Sequence, residues 1–340
     1  MKLFLSLVTL VTTTLYAQTV TDYTTVTGNP TGIVFDSKGV LYIGTESDYG
    51  LKKHENGNLT TIRSGMNGQP RQMTIDSFGE IWASFQALGS VKSIKANGIS
   101  TSYSAFSPFG MAIDPISKNI YFSEEVKGVI TVFNLKTVEM TNLPQSIPGA
   151  RGLVFNENGD LFVASVKDNK VYKISKSGEL STVVTNVKNP SYLVIDQNQN
   201  LYISTEYKGE IYKYNLNSST TNAELFVSDL DYTNGIAIYE GNLYCAIVSK
   251  NKIVKITLPS LNTSEVDIKQ IIASPNPVKD ILNINIENSK FNVELYSVDG
   301  KLILSKENSK QINLSSLAKG TYILQIRTDN KTYTQKVLKF

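Results

Sequence analysis

The chain has 340 residues and a formal net charge of +3, yet its central part, from Gln18 to Gln270, has 22 basic and 24 acidic residues. Without a basic stripe, the composition excludes nucleic acid as a partner. The chain has one cysteine, Cys245, so it cannot form an intramolecular disulfide. It has one histidine, His54, so His and Cys are too few to build a metal site, and a Ser-His-Asp triad has no support. We expect Cys245 to be a small core residue and His54 to be a solvated edge residue.

The N-terminal segment from Met1 to Ala17 predicts a secretory signal peptide that is removed before Gln18. It contains Lys2, then an apolar run, then Ala17 at the expected cleavage position. The run is short for a membrane-spanning helix and no second run follows, so we expect no transmembrane segment after removal of the signal. A retained anchor is the alternative, and Ala17 and the lack of a basic stop signal disfavour it.

A repeat occupies most of the chain after the signal. Six aligned copies begin at Thr31, Arg71, Phe109, Arg151, Ser191 and Asn234, with spacings of 40, 38, 42, 40 and 43 residues. The fourth copy contains the strands GLVF, LFVASV and VYKISK, separated by the turns NENG and KDNK, and Leu180 to Val184 supplies a fourth strand. Four short strands in a repeat of this period predict a β-propeller blade rather than a helical repeat.

An aromatic residue stands at the same place in the second strand of every copy. Such a row could be a ligand-stacking surface, but a ring in every blade is better suited to packing one blade against the next. We therefore expect a structural role for Tyr42, Trp82, Tyr121, Phe162, Tyr202 and Tyr244.

The sixth copy has only three clear strands. The N-terminal stretch from Thr19 to Gly28 ends near Asn-Pro, as a fourth-strand segment of the repeat does, and we expect it to complete the sixth blade. A propeller closed in this way has six blades and no free sheet edge.

The repeat ends after Leu261, and the C-terminal part has a different pattern. Residues 263–272 read as a polar linker, and residues 273–340 contain alternating strands with turn signals at Asp299-Gly300 and Lys319-Gly320. The predicted fold is therefore all-β: a six-bladed β-propeller over residues 18–262, followed by a small antiparallel β-sandwich.

Propeller ligands usually sit over the central channel, at the end where the first strands begin. Two sets of residues surround this end. One set is the entry positions, which are the first residues of the six copies, and the other is the loops after the second strands. From them we select Glu46, Arg71, Arg151, Glu206 and Asn234 as candidates for ligand binding. The alternative is that the two arginines pair with Glu46 and Glu206 as structural ion pairs.

Several C-terminal segments together resemble a known family. SPNPVKDILNI, LYSVDGKLI, LSSLAKGTYILQI and the basic last strand KVLKF resemble the type A C-terminal sorting domain of type IX secretion substrates in Bacteroidota, over about Ala273 to Phe340. The resemblance implies transport through the periplasm, the type IX secretion machinery as a partner, and release or attachment at the outer surface. A carbohydrate-binding or adhesive sandwich is the alternative.

The repeat units, of the form G-I-x-x-D-x-x-G-x-L-Y-I, resemble NHL and SMP-30/gluconolactonase-like propellers. For a lactonase of that group the resemblance implies a divalent metal, with Asn234 matching an Asn-Gly ligand and Glu46 loosely matching a first-blade glutamate. The remaining ligand of that group is an Asp in a later entry loop, and no Asp occupies an entry position in this sequence. A Ca²⁺ site formed by Glu124, Glu125 or Glu206 is a further option.

The sequence leaves three functions open and does not decide whether the protein is an enzyme. It favours a secreted binding or interaction protein whose propeller recognises a small molecule, a glycan or a peptide, because the scaffold is regular and carries no catalytic constellation. The second is a metal-dependent lactonase or hydrolase in which Glu46 and Asn234 bind the ion. The third is a purely structural surface protein.

Overall fold

The computed structural model describes residues 18–258, 273–285, 290–298, 300–328 and 332–340. The predicted signal peptide over 1–17, the linker over 263–272 and the propeller end at residue 262 lie outside these residues and stay predictions. The chain divides into two compact units, with the boundary after Leu258. In the described part, no helix combines the length and the apolar character that crossing a membrane requires.

Six four-stranded antiparallel sheets form the first unit, one for each repeat, which confirms the six-bladed propeller. Blade 1 consists of β2 (Pro30–Phe35), β3 (Leu41–Thr45), β4 (Gly50–Glu55) and β5 (Asn58–Arg63). Blade 2 consists of β6 (Met73–Ile75), β7 (Ile81–Phe85), β8 (Ser90–Ile94) and β9 (Ser100–Ser104). Blade 3 consists of β10 (Pro108–Ile113), β11 (Ile120–Glu124), β12 (Val129–Phe133) and β13 (Met140–Ser146). Blade 4 consists of β14 (Ala150–Phe155), β15 (Leu161–Ser165), β16 (Lys170–Ile174) and β17 (Leu180–Val184). Blade 5 consists of β18 (Pro190–Ile195), β19 (Asn200–Thr205), β20 (Glu210–Asn215) and β21 (Glu224–Val227). Single 3₁₀ turns cover Gln86–Leu88 and Val248–Lys250.

The sixth blade is closed by the N-terminal strand, as predicted. It contains β22 (Thr233–Tyr239), β23 (Asn242–Ile247), β24 (Lys252–Thr257) and β1 (Val20–Thr25). The pairing of β1 with β24 is antiparallel and aligns Val20 with Ile256. The Tyr23 ring of β1 packs edge-on against Tyr244 of blade 6 and His54 of blade 1, at 4.9 Å from each ring, so β1 also contributes to the contact between the last and first blades.

The aromatic row packs each blade against the next, which confirms its structural interpretation. Trp82 of blade 2 lies in one cluster with Met111 and Phe122 of blade 3, and the other five rings make equivalent contacts. The Trp82 ring has a second partner, because its Nε1 donates to Asp76 Oδ2 at 2.9 Å in the turn between the first two strands. Asp76 Oδ1 accepts two backbone hydrogen bonds in the same turn, so a single side chain joins turn and interface.

The first strands approach one another closely around the channel. A Cβ atom at Gly32 would lie 2.0 Å from the Arg71 carbonyl oxygen of the next blade, so no larger residue fits there. In the second strands, the Ser123 hydroxyl donates to the Arg151 carbonyl at 2.7 Å and the Ser84 hydroxyl donates to the Phe109 carbonyl, again across a blade boundary. These contacts fix the entry residues of successive blades relative to one another.

Cys245 and His54 test two expectations about single residues. Cys245 is buried in β23, as expected for a core residue. The expectation that His54 is a solvated edge residue is wrong, because its side chain is buried against Tyr23. His54 lies in the third strand of its blade, but β1, more than twenty residues before it, covers it.

The second unit contains the predicted strands of the sandwich. They are β25 (Ala273–Ser274), β26 (Ile281–Ile284), β27 (Asn292–Ser297), β28 (Leu302–Glu307), β29 (Gln311–Asn313), β30 (Gly320–Arg327) and β31 (Thr332–Lys339). They form a three-stranded sheet, β25-β26-β29, and a four-stranded sheet, β28-β27-β30-β31. Leu282 and Ile312 of the first sheet share one buried cluster with Val293 and Leu324 of the second, so the two sheets enclose a core of their own. Asp299 of the predicted turn lies outside the described residues.

We predict that the buried His54 makes propeller stability depend on pH. Burial lowers the pKa of His54 in the folded state, whereas the unfolded chain takes up a proton near the ordinary value of 6.5. The stabilisation by neutral His54 is therefore present above that value and is lost as the pH falls below it. Denaturant unfolding followed by the fluorescence of Trp82, the only tryptophan, should show a loss of stability from about pH 7.5 to about pH 5. His54→Leu should reduce this slope, and an unchanged slope in the variant would contradict the assignment.

Candidate functional site

The candidate residues lie at one end of the propeller, which we call the mouth. The chain passes alternately up and down each blade, so the loops entering the first strands and the turns between the second and third strands are at the same end. The turns between the first and second strands lie at the opposite end.

Glu206 joins two arginines at the centre of the mouth. Its side chain follows β19 and is only 3% exposed. Oε2 accepts a hydrogen bond from Arg151 Nη1 at 2.5 Å, while Oε1 lies 3.6 Å from Arg71 Nη1 and accepts from the Tyr232 hydroxyl at 3.2 Å. Arg151 Nε donates to Glu125 Oε1 at 2.8 Å. We call Arg71, Arg151, Glu125 and Glu206 the arginine–glutamate cluster.

Two glutamines extend the cluster outward. When the Gln69 amide nitrogen faces Glu46, it donates to Glu46 Oε1 at 3.0 Å, and the amide oxygen accepts from Arg71 Nε at 3.1 Å and Nη2 at 2.8 Å. Gln86 donates to Glu125. The structure thus brings together four of the five sequence candidates, Glu46, Arg71, Arg151 and Glu206.

The neighbouring carboxylates favour the charged form of the two arginines. Burial lowers the pKa of Arg151, but the carboxylates of Glu125 and Glu206 outweigh burial and raise the pKa overall. Burial, aided by Glu206, raises the pKa of Tyr232 to about 12. At neutral pH the mouth therefore presents two guanidinium cations and a phenol that donates its proton in a hydrogen bond.

Aromatic rings close the channel beneath the cluster. The guanidinium carbons of Arg151 and Arg71 lie 4.8 Å and 5.6 Å from the centre of the Phe109 ring. Phe109 packs on Tyr192 with ring centres 5.5 Å apart. Since the two rings come from blades 3 and 5, they meet across the axis and form the floor of the mouth.

Asn234 and Glu124 are not joined to the cluster by any contact found among the described residues. The Asn234 backbone carbonyl accepts from Ser204, and its side-chain Oδ1 is buried without a hydrogen-bond partner. Glu124 faces away from the arginines, because its Oε1 accepts from the Phe106 amide at 3.1 Å and its Oε2 pairs with Lys127 at 3.0 Å.

These residues do not fit a divalent metal ion. Within the described ranges, no group of three or more His, Cys, Asp or Glu side chains is placed to hold one. Asn234 Oδ1 has a vacant acceptor position, but Glu46 is linked through Gln69 to Arg71. Two arginines at the centre repel a cation and occupy the carboxylate of Glu206.

Five exposed apolar side chains lie at the same end of the propeller as the cluster, and none of them was among the residues predicted from the sequence. We define the rim as Tyr49, Leu88, Phe106, Val126 and Tyr207, all in entry loops or in turns after second strands. Tyr207 stacks on Tyr232 with ring centres 5.3 Å apart. The sequence feature that could have identified the rim is an apolar residue in a short turn between strands, where polar residues are expected.

The C-terminal unit matches a known family. Residues 273–339 match the family model described as a secretion system C-terminal sorting domain. The sorting domain indicates export and a secreted or cell-surface location, and it implies an interaction with the type IX secretion machinery. No curated protein matches the chain.

The propeller shares its fold with solved structures of diverse proteins. Virginiamycin B lyase from Staphylococcus aureus is 16% identical with a TM-score of 0.58, and the match covers 71% of this chain and 99% of that one. XC5397, a gluconolactonase from Xanthomonas campestris, is 9% identical with a TM-score of 0.61, over 71% and 90%. An auxiliary nutrient binding protein from Bacteroides thetaiotaomicron is 14% identical with a TM-score of 0.57, over 68% and 69%. At these identities the similarity establishes the propeller fold alone.

We predict that Glu206 contributes strongly to propeller stability. Glu206→Gln removes the charge that neutralises two mostly buried guanidinium groups, and the free energy of unfolding should fall by about 3 kcal/mol. Trp82 fluorescence in a denaturant titration measures this loss for the propeller. The control is Asp231→Asn, which breaks an exposed pair with Lys250 and should change stability by less than about 0.5 kcal/mol. Equal effects of the two substitutions would show that the cluster is not a stabilising element.

Proposed function

We propose that the protein is an exported binding protein whose mouth holds a polypeptide partner. The observation that carries the proposal is the rim, a set of exposed apolar side chains at the same end of the propeller as the arginine–glutamate cluster. Exposed apolar groups of this kind, bordered by polar residues, are typical of interaction surfaces.

The side chains of the mouth have the composition of a protein interface. Tyrosine, phenylalanine and arginine are enriched where proteins meet, and here they stand together as Tyr49, Tyr207, Phe106, Arg71 and Arg151. The aliphatic rim residues favour a polypeptide over a glycan, because sugars stack on aromatic rings but gain little from an isolated valine or leucine. Arg71 and Arg151 retain 19% and 16% side-chain exposure, so a partner carboxylate or carbonyl can reach them.

The site gives less support to a lactonase. That reaction needs an ion to polarise a carbonyl and activate water, and the two guanidinium groups of the arginine–glutamate cluster repel a cation at the mouth. The related folds do not decide the question, since they include a lyase, a gluconolactonase and a nutrient binding protein.

The rim should control the binding of peptides selected against the protein. Peptides are selected from a random display library on the chain beginning at Gln18, and their dissociation constants are then measured for matched variants. Val126→Ser and Phe106→Ser change the rim, and each should weaken binding by about tenfold, or 1.4 kcal/mol. Their controls lie at the opposite end: Val138→Ser and Phe78→Ser.

The controls match the rim substitutions closely. Val126 and Val138 belong to blade 3 and are 61% and 54% exposed, and Phe78 is exposed in a turn of blade 2. If no peptide is enriched, or if rim and control variants bind alike, the mouth is not a polypeptide-binding surface. Metal-dependent turnover of a lactone by the same protein, with no peptide binding, would instead support the lactonase.

Deletion of the sorting domain should change only the destination of the protein. A chain ending before Ala273 should remain in the periplasm of its native host, because the propeller lacks the signal for passage across the outer membrane. Immunoblots of periplasm, cell surface and medium measure the distribution. Full-length Val138→Ser is the control and should be exported normally. A truncated propeller that reaches the medium or the surface would contradict the sorting function of the domain.

A further inference from the structure

We propose that the opposite end of the central channel is a second binding site, for a small, uncharged ring compound with an apolar body. A cavity of about 360 Å³ lies there, lined by the first strands of the blades. Its volume is at the lower end of the range of about 300 to 1,000 Å³ that is usual for small-molecule pockets. Pro115, Asn156 and Glu157 line it as well, and they belong to turns between first and second strands, so it opens away from the mouth.

The side chain of Gln72 separates this cavity from the mouth. Gln72 belongs to blade 2, yet its amide nitrogen donates to the Leu153 carbonyl of blade 4 at 3.0 Å and its amide oxygen accepts from the Leu153 amide at 3.3 Å. The side chain therefore crosses the channel below the Phe109–Tyr192 floor. A ligand in the cavity enters and leaves by the far end and does not compete with a partner at the mouth.

The wall favours an apolar ligand. Val34, Val154 and Val194 line the cavity from blades 1, 4 and 5, and each remains only half-buried although it lies near the axis of the propeller. Covering such side chains releases water and is favourable. The polar group at the closed end, the Gln72 amide, already has partners for both of its atoms, so it does not require a charged or strongly polar ligand.

The wall also selects a ligand with weak hydrogen-bonding ability. The first strand of each blade is the last in its sheet, so no strand of that sheet pairs with its inner backbone edge, which lies toward the channel. Amide and carbonyl groups on such an edge can bond to a ligand that carries one donor or acceptor on its ring. An uncharged heteroaromatic molecule combines the apolar body with such a group, and indole is the probe we select.

Methionine methyl groups provide an internal test. From Gln18 onward the chain has four methionines, of which Met73 and Met111 line the cavity and Met66 and Met140 do not. Indole is titrated into the chain beginning at Gln18 with ¹³C-labelled methionine methyls. The ring current should shift the Met73 and Met111 signals along one saturable curve and leave Met66 and Met140 unchanged.

A filled cavity supplies the second test. Thr74→Phe places a ring where half-buried Thr74 lines the wall, and it should weaken indole binding by about tenfold. Val34→Phe is used instead if Thr74→Phe does not fold. A variant counts as folded when its Met66 and Met140 signals match those of the unmodified chain. Val126→Ser at the mouth is the control and should bind indole as the unmodified chain does, whether or not the mouth binds peptides. Binding that is not saturable, that shifts Met66 or Met140, or that survives filling in the folded variant would overturn the proposal.

Discussion

The antiparallel pairing of β1 with β24 is the interaction on which the propeller depends. It gives blade 6 its outer strand and ties the two ends of a circular arrangement together. Without it the last blade would have three strands and an exposed edge. The Tyr23 ring, held between Tyr244 and His54, extends the same closure into the packing between the last and first blades. The positions of the entry residues at the mouth follow from a ring that is closed.

Features repeated in every blade could be predicted from the sequence, and features that depend on one distant neighbour could not. Alternation and turn residues act locally, so they indicated the strands and the mouth that brings Arg71 and Arg151 together. The burial of His54 depends on Tyr23, which lies in the closing strand β1 and not in the same blade as His54. The direct pairing of Arg151 with Glu125 depends on side-chain rotamers, which no sequence pattern specifies.

The two ends of the channel are separated because one position near the start of the first strands differs between blades. Four blades have glycine there, and the remaining two have Gln72 and Tyr192. These two larger side chains extend across the axis and divide the channel, with cations and carboxylates above and aliphatic groups below. A regular scaffold thereby acquires two unlike surfaces through two exceptions to its repeat.

The ring closure also determines the order in which the propeller can be completed. Asp22 of β1 pairs with Lys252 of β24, 230 positions later in the chain. During synthesis and translocation, β1 emerges first and has no strand partner until the last blade follows it. Blades 1 to 5 each consist of neighbouring segments and can form as they emerge, but the closing contact has a very high contact order and is made last. An unpaired β1 is a template for wrong strand pairing in the meantime, so the ring can close only after β24, at the end of the repeat region, has become available to β1.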